Sequence, residues 1–115
     1  MPRYVPPLDS KEKHYFGFNY CGPGTNVWRR RDMNVEPMDA LDAACLQHDI
    51  VTEPRGPHLG KGNPRKLRAA DRQLRNIALQ LSLHHSYSKK GAALSVVAAM
   101  DFLLRTGARG RRIKK

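Results

Sequence analysis

A chain of 115 residues makes one small domain. At that size folding buries only about two-thirds of the unfolded surface, so a single core with one covalent staple is the expected build. Lys and Arg number 21 against 10 Asp and Glu, a formal charge of +11, so the natural partners are acidic, whether nucleic acid or an anionic membrane. No apolar run approaches the ~20 residues that cross a bilayer, and residues 1–16 (MPRYVPPLDSKEKHYF) hold no apolar stretch of the kind a signal peptide needs.

Residues 1–19 mix Pro and aromatic side chains without a period and read as an arm lying on the body. Residues 20–35 read as a loop, opened by Tyr20-Cys21-Gly22-Pro23-Gly24-Thr25 and carrying the basic cluster Trp28-Arg29-Arg30-Arg31. Pro37 suits the first position of a helix, where its missing N–H costs nothing, and Asp39 and Asp42 suit the positive end of the helix dipole. A first helix is therefore expected over about 37–52, ended by Pro54. Residues 53–62 are breakers and read as a loop. Asn63-Pro64 opens a second helix that runs to about His84 or His85. Ser86 or Ser88 caps a third, rich in Ala, Val and Leu, through about Arg105, with Gly107 as its stop. The expected fold is all-α: two antiparallel helices that carry the site, a loop stapled to the first, and a third helix packed across them. The domain spans 1–107 and a basic tail 108–115.

Helix phase sorts the candidate residues. In the first helix Leu41, Cys45, His48 and Thr52 share one stripe, which turns His48 inward. Two cysteines allow one bridge or, in a reducing compartment, two free thiols. A bond between Cys45 and Cys21 would fix the glycine loop one helical turn from Asp49. That suits calcium, which takes six to eight oxygens at about 2.3–2.6 Å from carbonyls, carboxylates and water. In the second helix the apolar stripe Leu67, Ala70, Leu74, Ile77, Ala78 and Leu81 has Asp71 in its middle. A carboxylate there is costly without a partner. His48 is the partner on offer, and the pair would form a dyad in which Asp71 fixes the imidazole tautomer.

The segments YCGPGT and PMDALDAACLQHD resemble the calcium loop and active-site helix of the phospholipase A2 superfamily. The Gly-Pro-Gly variant, the low cysteine count and Ala70-Asp71 are similar to the phospholipase A2-like domains of parvovirus-type viral capsid proteins. The likeness runs over roughly residues 18–80. It implies calcium held by the carbonyls of Tyr20, Gly22 and Gly24 and the carboxylate of Asp49, with His48 as general base and Asp71 orienting it. It also implies a Cys21–Cys45 bridge, which secreted members have in corresponding places and parvoviral ones generally lack. The reaction implied is calcium-dependent hydrolysis of the sn-2 ester of a glycerophospholipid by activated water, with calcium and the Gly22 N–H stabilising the oxyanion. One departure stands out: Thr52 occupies a position where the superfamily usually has Tyr.

In a viral protein this activity would breach a membrane during entry, which places the chain in the virion or at the host endosomal membrane; otherwise it would be secreted. The expected partner is a phospholipid membrane, anionic lipid favoured, met through Trp28, Arg29, Arg30 and Arg31. Leu8, Tyr15, Phe16, Phe18 and Val27 are candidates for the acyl-chain slot or its rim. Two rival readings come from other classes. A nucleic-acid-binding or packaging module would use the charge and the arginines, and leaves Gly22, Gly24 and Asp49 unexplained. A zinc domain would use Cys21, Cys45, His48 and either His14 or His58, at a spacing that matches no usual zinc pattern. Nothing in the sequence sets an oligomeric state.

Overall fold

A computed structural model describes residues 2–12, 15, 17–22, 24–53 and 63–107. Among them stand four helices: α1 (Val27–Asp32), α2 (Ala40–Thr52), α3 (Pro64–Leu83) and α4 (Lys90–Thr106). The domain is all-α, with α2 and α3 antiparallel and α4 packed chiefly on α3. Phe16, Pro23, residues 54–62 and the basic tail 108–115 lie outside the described residues.

Helix starts follow the local caps. Asn63 accepts from the Arg65 N–H at 2.8 Å and Pro64 occupies the first turn, as expected for α3. α2 begins at Ala40 rather than at Pro37. Asp39 is extended and its side chain accepts from the Asp42 N–H at 3.0 Å, which makes it the cap. Pro37 and Met38 instead belong to the turn that feeds it. α4 begins at Lys90, later than Ser86 or Ser88, where two tertiary contacts and one local one hold the connection. The Tyr87 hydroxyl donates to Asp39 Oδ2 at 3.1 Å, Lys89 Nζ donates to the Gly17 carbonyl at 3.0 Å, and the Ser86 hydroxyl is engaged with His84 Nδ1. Gly107 ends α4 with φ +74°, the left-handed conformation that glycine adopts at least cost.

α1 corrects the expectation of an open loop over 20–35. Asn26 caps it at the Arg29 N–H, and its inner face carries Val27 and Arg30 into the interior. The core joins Phe18, Tyr20 and Val27 to Leu41, Leu74 and Val96 from the long helices. The arm is tied to this body through Asn19, whose side chain accepts from the Val5 N–H and donates to the carbonyls of Arg3 and Glu36.

Candidate active site

Two stripes of α2 divide the work of the site. Leu41, Ala44, His48 and Thr52 are buried toward the interior. Asp42, Cys45 and Asp49, spaced three and four apart, form the stripe beside the glycine loop. Cys45 is bonded to Cys21, with 5.2 Å between their Cα atoms. Asp42 is fully buried and accepts four backbone N–H groups: Asn19 and Met38 on Oδ2, Tyr20 and Cys21 on Oδ1. Helix and loop are therefore joined twice, once covalently and once through a carboxylate.

Toward α3, His48 Nε2 lies 2.6 Å from Asp71 Oδ1. Asp71 is fully buried on the apolar face of its helix, so the histidine meets the demand that a buried carboxylate makes. A carboxylate only accepts, so Nε2 carries a proton toward Asp71; the neutral ring then keeps its lone pair on Nδ1, and the protonated ring donates there as well. Nδ1 is turned to the other side, 3.3 Å from Asp49 Oδ1. Burial of the imidazole lowers its pKa, but the hydrogen bonds and negative charge of Asp49 and Asp71 outweigh burial and hold it above the usual histidine value.

A cavity of about 460 Å³ opens beside this pair. Gly22, His48 and Asp49 supply its polar end, while Leu74, Val96 and Met100 line its apolar length. Phe102 also lines it and is 59% exposed. The apolar wall comes mostly from α4, not from the expected residues. Phe18 and Val27 are buried in the core, which removes them from an acyl slot or rim. Tyr15 does line the cavity, Leu8 is half-buried in the arm, and Phe16 lies outside the described residues. The sequence signal for α4 was its run of small and branched apolar residues, which reads equally well as packing.

Gly22 lines the cavity with φ +152°, a conformation that L side chains rarely adopt. The Tyr20 ring is buried and its hydroxyl donates to the Val35 carbonyl at 2.6 Å. Gly24 is exposed. Trp28 Nε1–H donates to the Glu53 carbonyl, and the Arg31 guanidinium lies 5.6 Å from the centre of the Trp28 ring. Arg29 is exposed near Asp9. Arg30 is a correction: it is 0% exposed and cannot reach a membrane. Its Nε and Nη2 donate to both oxygens of Glu12 at 2.8 and 2.9 Å, and Nη2 also reaches the Pro6 carbonyl. Thr52 is buried one turn beyond His48, and its hydroxyl has no hydrogen-bond partner among the described residues.

The donor chemistry suits a hard cation. One carboxylate, Asp49, and a glycine turn meet at the same cavity. Among the described residues no three His, Cys, Asp or Glu side chains gather to hold a metal, so any ion here would depend on backbone oxygens. The zinc reading fails because both of its cysteines are spent on the bridge; His14 and His58 lie outside the described residues. Asp42 cannot substitute for Asp49, since each of its oxygens already accepts two N–H groups.

No curated protein and no solved structure matches the chain. A family model for the phospholipase A2-like domain matches residues 11–92, well over half of the sequence. That span takes in the glycine loop, His48 and Asp71 and stops inside the first turn of α4. Match and dyad agree, and the chain belongs to the family of phospholipase A2-like domains.

Proposed function

We propose that this chain is a calcium-dependent phospholipase A2 that hydrolyses the sn-2 ester of glycerophospholipids. The observation that carries the reading is the orientation of His48: Nε2 is fixed on a fully buried aspartate while Nδ1 lies 3.3 Å from Asp49 Oδ1, and His48 and Asp49 both line a cavity with an apolar wall. A water held at Nδ1 gives up its proton to the imidazole as it adds to the ester carbonyl. The same proton then passes to the departing lysolipid alkoxide, and the fatty acid is released. Asp71 keeps the tautomer and steadies the imidazolium. The Gly22 N–H is the backbone donor offered to the developing oxyanion. Calcium, held by the Asp49 carboxylate and the carbonyls of Tyr20, Gly22 and Gly24, would supply Lewis-acid polarisation of that carbonyl.

The α4 wall of Val96, Ala99, Met100 and Leu103 receives the acyl chain, with Phe102 at the solvent side. The net charge of +11 supports docking on anionic membranes, with Arg29, Arg31 and Trp28 as the contacts that remain available. In a capsid protein the activity would open an endosomal membrane during entry, a reading that rests on the likeness of the glycine loop and the Ala70-Asp71 pair to such domains.

Fatty-acid release from mixed phospholipid vesicles, with calcium and with chelator, tests the proposal. Release should need calcium, and His48→Gln should lower it by about 10²–10⁴. Undiminished release by a folded His48→Gln protein would overturn it. Nucleic-acid binding without any release would favour the packaging reading instead.

A further inference from the structure

We propose that Asp42 is a positioning residue for the start of the glycine loop, and that its carboxylate, more than the Cys21–Cys45 bridge, sets the backbone from which the Tyr20 carbonyl projects. This inference rests on the calcium reading above. Three consecutive loop amides, Asn19, Tyr20 and Cys21, donate to one carboxylate at 2.8, 2.7 and 3.1 Å, and Met38 supplies a fourth at 2.8 Å. Two oxygens with two lone-pair directions each are thereby filled. The side chain is fully buried, so these amides stand in for water in solvating its charge.

The two tethers constrain different things. A disulfide fixes a separation between two Cα atoms, here 5.2 Å, and does not set the peptide plane that joins Tyr20 to Cys21; the Cys21 carbonyl is held separately by the Tyr15 N–H at 2.8 Å. Three successive N–H groups aimed at one carboxylate fix the planes that carry the Phe18, Asn19 and Tyr20 carbonyls, and with them the direction of the Tyr20 oxygen. A cation that binds through backbone oxygens is sensitive to that direction and far less so to the tether distance. Asp42 also sits seven residues before Asp49 on the same helix stripe, so one rigid element sets both the loop and the carboxylate that faces it.

The test compares two variants of the full chain by calorimetric titration with calcium chloride. Asp42→Asn keeps the shape but turns an N–H₂ toward loop amides that need an acceptor. It should weaken calcium binding at least tenfold while circular dichroism shows the helices intact. Cys21→Ser/Cys45→Ser should shift affinity by less than about threefold. Calcium binding by Asp42→Asn that equals wild type, or a double-serine variant as weak as Asp42→Asn, would overturn the proposal.

Should Asp42→Asn fail to fold, amide hydrogen exchange on the calcium-free wild type decides. The amides of Asn19, Tyr20 and Cys21 should be protected like helical ones, and exchange at open-loop rates would refute the clamp. A wild type that binds calcium yet releases no fatty acid would sink the phospholipase reading and leave the role of Asp42 standing.

Discussion

At the imidazole of His48 two effects oppose each other: burial disfavours its charged form, while Asp49 and Asp71 on either side favour it. The charges win, and the sign has a consequence for the calcium-free protein. A histidine whose pKa is raised on folding contributes stability that is fully present below its unfolded value near 6.5 and is lost as the pH rises through the higher folded value. Asp71 is the residue through which this is best probed. Asp71→Asn keeps a polar partner at 2.6 Å from Nε2 but presents either an N–H₂ or a weaker acceptor, so the wrong tautomer becomes accessible. Hydrolysis should fall by about 10²–10⁴, with KM for lipid little changed. Steady-state rates with dispersed short-chain lipid check the first part, and nuclear magnetic resonance of the imidazole should show its titration midpoint moving down from wild type.

At the scale of elements, α1 separates three arginines that look equivalent in sequence. Arg29 and Arg31 are exposed and Arg30 is enclosed, because a helix of six residues must put one of three successive side chains on its inner face. Arg30→Gln should therefore destabilise the domain by about 3–5 kcal/mol, since Glu12 would be left buried without its cation. Arg29→Gln/Arg31→Gln should change stability by less than about 0.5 kcal/mol per site. It should instead weaken binding to anionic vesicles by about 1 kcal/mol per residue, an effect that salt reduces. Thermal melts and vesicle sedimentation separate the two outcomes. α4 makes a second prediction. Ala99 lines the cavity and is exposed, so Ala99→Trp can narrow the slot without overpacking the core. kcat/KM for long-chain lipid should fall about tenfold relative to short-chain lipid, a difference of about 1.4 kcal/mol, and equal losses on both would show that α4 does not hold the acyl chain.

Across the whole molecule, the pair of Glu12 and Arg30 locks the N-terminal arm to α1. Glu12 also accepts the N–H groups of Leu8 at 2.8 Å and Asn26 at 2.7 Å. Burial alone would raise its pKa, yet the hydrogen bonds to Arg30, Leu8 and Asn26 and the Arg30 charge pull it down to about 2. A carboxyl depressed on folding contributes stability above its unfolded value of 4.5 that is lost as the pH falls toward about 2. The shift corresponds to on the order of 3 kcal/mol. Chemical denaturation across that interval should show stability declining, and Glu12→Gln should flatten the decline while lowering stability at neutral pH.

The sequence by itself determined the local features. Asn63-Pro64 set the start of α3 and Gly107 set the end of α4, because caps and stops depend on residues adjacent in the chain. The meeting of His48 with Asp71 was legible too, since a carboxylate in the middle of an apolar stripe demands a partner and helix phase left one candidate. Tertiary structure decided what depends on distant backbone. Asp42 looked like a dipole residue because its four donors come from Met38 and from a loop about twenty residues away. Arg30 looked like surface charge because Glu12, 18 positions earlier, is brought to it only by the folded arm. The apolar wall belonged to α4 for the same reason: composition marks a helix as buried, and only packing shows which cavity its side chains line.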